Sequence, residues 1–182
     1  MRVKDISDDV FELVLKRERI QFMPGDCMLL YNFEREVSPY FIASGIQEPT
    51  LRFLINKKKS AFVDYLYGLR HGDMVRCDPK PKSVMPNLIN AKDEILIAES
   101  YGISPILSYL SSYPNKRNIQ IYYTGNVNRE WLNVHHVLIN KLDDLKLSKK
   151  SNIYMFTSQN TYNYIISNKR VNFKRVESYI LS

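Results

Sequence analysis

The stretch IAESYGISPILSYL, residues 97–110, reads as a buried strand, a tight turn at Gly102 and a helix opened by Pro105. A strand-turn-helix of this kind holds a phosphate when glycines let the anion lie against backbone N–H groups at the positive end of the helix dipole. Glu99 and Ser100 leave two readings open: a dinucleotide-binding loop stripped of most of its glycines, or a turn that carries no phosphate. Other chemistry is harder to assemble. The chain has no G-x-S-x-G elbow and no P-loop, so Ser, His and Asp are present with nothing in the spacing to pair them. Asp8 with Asp9 and Asp143 with Asp144 fall in turn or surface-helix contexts, as caps and solvated charges. No catalytic residue is assigned.

Cys27 and Cys77 lie far apart with no C-x-x-C pair, so neither a structural zinc site nor a four-thiolate iron–sulfur cluster can be built from them. His71, His135 and His136 lack ligand spacing, and the adjacent pair would point to opposite faces of a strand. No metal site is expected. The 182 residues carry a formal charge of +7. That charge permits contact with nucleic acid, an acidic partner or a nucleotide phosphate. Apart from NKKKS (56–60) and SKKS (148–151) the excess is spread out, which favours a solvated surface over a nucleic-acid footprint. No run approaches the roughly 20 apolar residues of a membrane span, and the first ten residues lack the apolar core of a secretory signal. A cytoplasmic protein with no membrane contact is the expectation.

These residues must be positioned by two unlike halves. VFELVLKR (10–17), DCMLLYNF (26–33), YFIASG (40–45) and LRFLIN (51–56) read as strands, with a Pro-Gly turn at Pro24 and Gly25 before the second. SAFVDYLYGLR (60–70) places Phe62, Leu66 and Leu69 at helical spacing behind a possible Ser60 N-cap, and MVRCD resumes as a short strand. Strands with one inserted helix predict a small closed antiparallel barrel. Residues 78–93 carry three prolines and little periodicity, so the boundary is placed near residue 90. Beyond it, EILIAES is a continuous apolar run suited to a parallel strand covered on both faces. SPILSYLSSY and QNTYNYIISN read as helices, and NIQIYYTG, VHHVLIN, NIYMFTS and RVESYIL as further strands. The fold class expected is α+β in two domains: an antiparallel β-barrel over 1–90 and a compact α/β parallel-sheet domain over 91–182.

The order of pieces resembles the ferredoxin-NADP reductase superfamily over nearly the whole chain. FMPGDCMLLY is similar to that family's PGQ strand, SPYFIAS to its flavin-binding strand, and LYGLRHGDMVRCDPKP to its L..L..GD segment. LIAESYGISPILSYL is similar to its IAGGTGIAP turn and helix, IQIYYTGNVNREWL to the strand ending in a Gly-Arg turn, and NIYMFTSQNTYNYI to the vYaCGP strand and helix. Pro39 makes SPYFI look more like the strand of electron-transfer subunits, above all the one paired with dihydroorotate dehydrogenase, an enzyme of pyrimidine biosynthesis. The resemblance implies an FAD-binding barrel, an NAD-binding-like second domain, and a flavin-containing catalytic subunit as partner in a hetero-oligomer, without an iron–sulfur cluster.

By the same resemblance the cofactor-binding residues are Arg35, Tyr40, Phe41, Ile42, Ala43, Ser60 and Ala61. Tyr40 would stack on the flavin, or else pack in the barrel as a strand aromatic. Ile42 and Ala43 would offer backbone contacts, and Ser60 and Ala61 would meet the pyrophosphate. The departures are specific. Ser38 replaces the arginine that pairs with that pyrophosphate, with Arg35 three residues upstream as a substitute whose reach the sequence does not decide. Phe41 replaces a hydroxyl residue that contacts the flavin ring. Lys57, Lys58 and Lys59 precede the helix start, either as phosphate ligands or as solvated charges. Glu99 and Ser100 replace the glycines of the dinucleotide turn, and FTS (156–158) replaces CGP, so no NAD is expected. The leading expectation is an electron-transfer or accessory subunit of a flavin-dependent oxidoreductase, without its own NAD(P)H activity. A cofactor-free structural or regulatory subunit of the same fold is the alternative, and a basic nucleic-acid-binding protein a third reading.

Overall fold

A computed structural model describes residues 1–58, 60–83, 94–114, 119–125, 139–140, 145, 152–168 and 175–180. In the first half, β2 (Val10–Lys16) pairs antiparallel with β5 (Thr50–Asn56) along its whole length. β1 (Arg2–Asp5) adds to the outer side of β2. A second sheet centres on β3 (Asp26–Tyr31), flanked by β4 (Val37–Phe41) and the short β6 (Arg76–Cys77), with β7 (Lys82–Ser83) on the start of β3. Helix α1 (Ala61–Gly68) begins at Ser60, whose Oγ accepts the Val63 N–H at 3.2 Å. Phe62 and Leu66 then plug the space beside Phe11, Leu13, Leu30 and Phe53.

The closed barrel read from the sequence is corrected here: among the described residues the ladders form two separate antiparallel sheets in a barrel-like arrangement. The reason lies after Phe41. The Ile42 N–H donates back to the Asp26 carbonyl, while the Ala43 N–H donates to the Arg52 carbonyl of β5 at 2.7 Å. The Arg52 N–H in turn donates to Ser44 Oγ. The chain therefore turns a corner between sheets where the alternation of YFIASG predicts a continuing strand, and the two sheets are stapled there instead of being merged.

The second half is a five-stranded sheet with every pairing parallel: β8 (Glu94–Glu99), β9 (Ile119–Thr124), β10 (Ile139–Asn140), β11 (Asn152–Thr157) and β12 (Arg175–Ile180), in the order β10-β9-β8-β11-β12. A 3-10 turn (Ser100–Ile103) leads from β8 into α2 (Ser104–Ser112), and α3 (Gln159–Asn168) follows β11. The continuous apolar run of β8 is covered on both faces, as a strand in a parallel sheet must be. Ile95 and Ile97 pack with Ile153, Met155 and Ile165, whereas Leu96 and Ala98 face Ile106, Leu110 and Phe156. That second cluster also takes in Val10, Cys27, Phe41 and Leu54, so one apolar core joins the two halves. Of the linker read over 78–93, Lys82 and Ser83 form β7 on the first-half sheet, while residues 84–93, the boundary placed near 90, His135, His136, Asp143 and Asp144 lie outside the described residues.

Polar contacts hold the join in register. Ser108 Oγ, fully buried, donates to the Ser44 carbonyl at 2.7 Å, and the Ile46 N–H donates to Ser112 Oγ at 3.0 Å. Between these two bonds Gly45 presses on α2: a Cβ there would fall 2.7 Å from Ser111 Cβ and 2.9 Å from its carbonyl carbon. Backbone cannot retreat as a flexible side-chain end can, so Gly45→Ala is expected to lose about 1–3 kcal/mol. Gly68→Ala, with open space around it, should be neutral or slightly stabilising. Urea unfolding of both variants checks this; equal midpoints would contradict it.

Candidate functional site

In an open parallel sheet, ligands collect outside the carboxyl ends of the strands where the strand order reverses. Here β9 and β10 lie to one side of β8 and β11 and β12 to the other, so the reversal falls between β8 and β11. Glu99 ends β8 and Ser158 follows β11; both line a cleft of about 640 Å³. The opposite wall comes from the first half: Ser38, Pro39, Tyr40 and Phe41 of β4, Leu54 and Ile55 of β5, and Ser60 and Val63 at the start of α1. The volume is in the range of small-molecule and cofactor sites.

Tyr40 and Phe41 point to different sides of their strand and do different work. Tyr40 is half-buried and its ring stacks on Phe62, 6.3 Å between centroids and 10° from parallel. Burial pushes its phenol up to about 12, so it stays neutral. Phe41 is buried against Phe156 in an edge-on pair at 5.5 Å, which carries the apolar core to the cleft floor.

Glu99 is fixed from across the reversal. The Ser158 N–H and Oγ–H both donate to its Oε2, at 2.8 and 2.7 Å. Burial pushes this carboxyl up, but the Ser158 hydroxyl and N–H together with the Thr161 hydroxyl outweigh it and hold the group below the ordinary glutamate range. An ionised carboxylate thus sits at the start of α3, where the helix dipole favours it. The sequence marks Glu99 as an obstacle to a phosphate but does not reveal Ser158 as its partner. The available signal was the position of Ser158 just before a helical segment, the place of an N-cap; its hydroxyl indeed accepts the Thr161 N–H at 3.4 Å.

The turn between β8 and α2 retains Gly102 but places a serine where the backbone takes a conformation that favours glycine. Ser100 adopts φ 48°, a left-handed conformation that costs an L-residue about 1–2 kcal/mol. Gly125, at φ 139°, backs it so closely that a Cβ would lie 3.0 Å from the Ser100 nitrogen.

The remaining expected residues are distributed unevenly. Tyr40, Phe41 and Ser60 line the cleft; Arg35, Ile42, Ala43 and Ala61 are not among its lining residues. Arg35 is exposed in the β3–β4 hairpin. Ile42 and Ala43 are fully buried, and their N–H groups are spent on Asp26 and Arg52, which leaves no backbone donor for a ligand. Ala61 is exposed beside Ser60. Lys57 turns away to Asp5, 2.6 Å from Oδ1, and also donates to the Ser7 carbonyl. Lys58 lines the cleft, and Lys59 lies outside the described residues. Leu54, Val63, Tyr101 and Ser104 line the cleft without having been singled out from sequence. Among the described residues no three His, Cys, Asp or Glu side chains are grouped to hold a metal, and no helix is long and apolar enough to cross a membrane.

Tested against FAD, the residues fit the ring system better than the diphosphate. A flat aromatic wall at Tyr40, apolar flanks at Leu54 and Val63 and surrounding hydroxyls suit a planar heteroaromatic. The diphosphate has Lys58 and the start of α1. The carboxylate clasp generates its own prediction. A group whose pKa is lowered on folding stabilises the protein above its unfolded pKa, and that contribution is lost as pH falls through the folded value. Glu99→Gln should therefore cost about 1–2 kcal/mol at neutral pH, discounted for partial exposure. The difference from the parent should shrink as the pH drops below the ordinary glutamate range. Unfolding midpoints across acid pH check it; a pH-independent difference would contradict the clasp.

No protein-family model and no curated protein matches the sequence. Solved structures match in fold. The flavohem-like FAD/NAD-binding domain of nitric oxide dioxygenase from Vibrio cholerae O1 biovar El Tor superposes with a TM-score of 0.81 at 14% identity, covering 99% of this chain and 95% of that one. Phthalate dioxygenase reductase gives 0.76 at 18% identity over 97% of this chain and 65% of its own. A ferredoxin NADP+ reductase from Neisseria gonorrhoeae, solved with bound FAD and NADP, gives 0.70 at 13% identity over 97% and 95%. That last structure does not bear out the expected absence of NAD. At these identities the likeness is one of fold, and this chain has the two-part fold of ferredoxin-NADP+ reductase-like FAD/NAD-binding domains.

Proposed function

We propose that the chain is an electron-transfer module that holds a flavin, as FAD, in the cleft between its halves and exchanges electrons with a separate protein. The observation that carries this is the position of the cleft. It lies where the strand order reverses in the parallel sheet and is walled on its other side by Tyr40 and the start of α1. The nitric oxide dioxygenase domain and the gonococcal reductase share this fold and are, by name, an FAD/NAD-binding domain and a reductase bound to FAD and NADP.

The flavin, once bound, supplies the uptake and release of electrons; the protein supplies position and electrostatics. Tyr40 offers a neutral aromatic face already held parallel to Phe62. Phe41 closes the floor and keeps water out where a hydroxyl would have admitted a hydrogen bond. Lys58 and the first turn of α1 line the cleft and would meet the phosphates, Lys58 by its charge and the turn by its N–H groups. Glu99 stays ionised and clasped to Ser158, so it shapes the field of the cleft and does not serve as a proton donor near neutral pH. Pro39 extends the proposal to its finer form, in which the separate protein is a flavin-containing catalytic subunit of the dihydroorotate dehydrogenase type and the working state is a heteromer.

The thin provision for a diphosphate favours a second reading, a cofactor-free subunit that keeps the reductase fold for binding alone. Titrating FAD into the purified chain, read by quenching of flavin fluorescence, separates the two. Saturable binding is expected, with Tyr40→Ala about tenfold weaker and Tyr40→Phe close to the parent, because stacking needs the ring and not the hydroxyl. A chain that takes up no FAD contradicts the proposal and leaves the cofactor-free reading.

A further inference from the structure

Lys58 and Glu99 are the charged side chains among the residues that line the cleft, one on each wall, and neither enters an ion pair among the described residues. Opposite charges that share a cleft attract each other, so something must hold them apart. Glu99 is held by Ser158, whose N–H and Oγ–H both donate to Oε2. At Lys58 the backbone is held, its N–H donating to Asn56 Oδ1 at 2.8 Å. The cleft is thus kept open between a fixed anion and a cation on a flexible stem.

The clasp leaves Glu99 with acceptor capacity. An ionised carboxylate has about four acceptor sites and no donor. Ser158 takes two and the Thr161 hydroxyl one more, and both Ser158 bonds fall on Oε2, so Oε1 has room for a donor arriving from the cleft. Burial pushes the carboxyl up, the hydrogen bonds outweigh that, and the group is an anion at neutral pH. Its charge is felt within the site: burial and then the Glu99 charge push up the phenol of Tyr101, another lining residue.

One open carboxylate oxygen selects the shape of what it meets, since it attracts an N–H and repels a carbonyl oxygen. The pyrimidine edge of a flavin presents a single N–H, at N3, between two carbonyls. A single oxygen fits that edge, whereas a two-oxygen grip would set the second oxygen against a carbonyl. Here the second oxygen is the one turned to Ser158.

We propose that Glu99 is a ligand-binding residue whose Oε1 accepts the N3–H of the bound ring, giving the cleft a preference for a planar ring with an imide N–H edge. This rests on the flavin reading of the cleft. A charge-assisted hydrogen bond of this kind is about twice as strong as a neutral one, and Ser158 orients the acceptor in advance, as a preorganised site requires. Marked by the sequence as an obstacle to a phosphate, Glu99 then orients the ring, and the phosphate end is left to Lys58 on the far wall.

The test compares FAD with 3-methyl-FAD, which differ by one methyl group on N3, in titrations at neutral pH read by flavin fluorescence. The phosphates are the same in both, so Lys58 contributes equally. The parent chain should bind FAD about tenfold more tightly than the methylated analogue. Glu99→Gln separates the lost hydrogen bond from the added bulk. Its amide oxygen can still accept from Ser158 while an N–H2 group, a donor, replaces Oε1. FAD binding should weaken in this variant and the two ligands come within about twofold of each other, with the circular dichroism of the parent retained. Equal affinities in the parent, or a tenfold preference that persists in Glu99→Gln, would overturn this proposal and leave the flavin reading standing. A parent chain that takes up neither ligand would overturn both.

Discussion

The cleft exists only because the two halves are fixed to each other, and that join is made by α2 pressed onto the Ser44–Gly45–Ile46 corner. Apolar burial supplies most of the adhesion, through Val10, Phe41 and Leu54 on one side and Ile106, Leu110 and Phe156 on the other. Burial of this kind is non-directional and does not choose a register. The Ser108 to Ser44 bond and the Ile46 to Ser112 bond do, and Gly45 lets the backbones approach closely enough for both to form. Tyr40 on one wall and Glu99 on the other keep their separation only while this contact holds.

The electrostatics of the cleft follow from one internal anion. A carboxylate that takes two hydrogen bonds from Ser158 at the start of α3 meets the helix's need for negative charge from within the chain. The opposite wall is different in kind. Among the described residues it has no acid, and it carries a neutral tyrosine and Lys58 beside a capped helix start. A ligand with a planar, hydrogen-bonding ring at one end and a phosphate at the other finds complementary surfaces when its ring lies toward Tyr40 and its anion toward α1.

Much of the fold is legible in the sequence because the burial patterns are strong. β2, β5, β8 and β11 are recognisable as alternating or continuous apolar runs, and α2 is marked by Pro105 in its first turn. β1 is not, since it is an edge strand whose four residues are mostly exposed and whose identity comes from pairing with β2. The corner after Phe41 is hidden for the same reason: alternation continues through Ile42 and Ala43 while their hydrogen bonds pass to different sheets. At the site, Tyr40, Phe41, Ser60 and Glu99 stand at motif positions; Ser158 also falls in a motif, as the last residue of FTS, but its clasp on Glu99 and the approach of Leu54 to the cleft come only through tertiary contact. Lys57 shows the limit of reading a charge run, because one of three adjacent lysines is drawn aside by Asp5, fifty-two positions earlier in the chain.

A crystal structure of the chain grown with FAD tests the central claim most directly. The account predicts the flavin ring between the Tyr40 wall and the Glu99–Ser158 clasp, with the diphosphate at Lys58 and the first turn of α1. Density for the cofactor elsewhere on the molecule, or a cleft that remains without it at saturating FAD, would contradict that account.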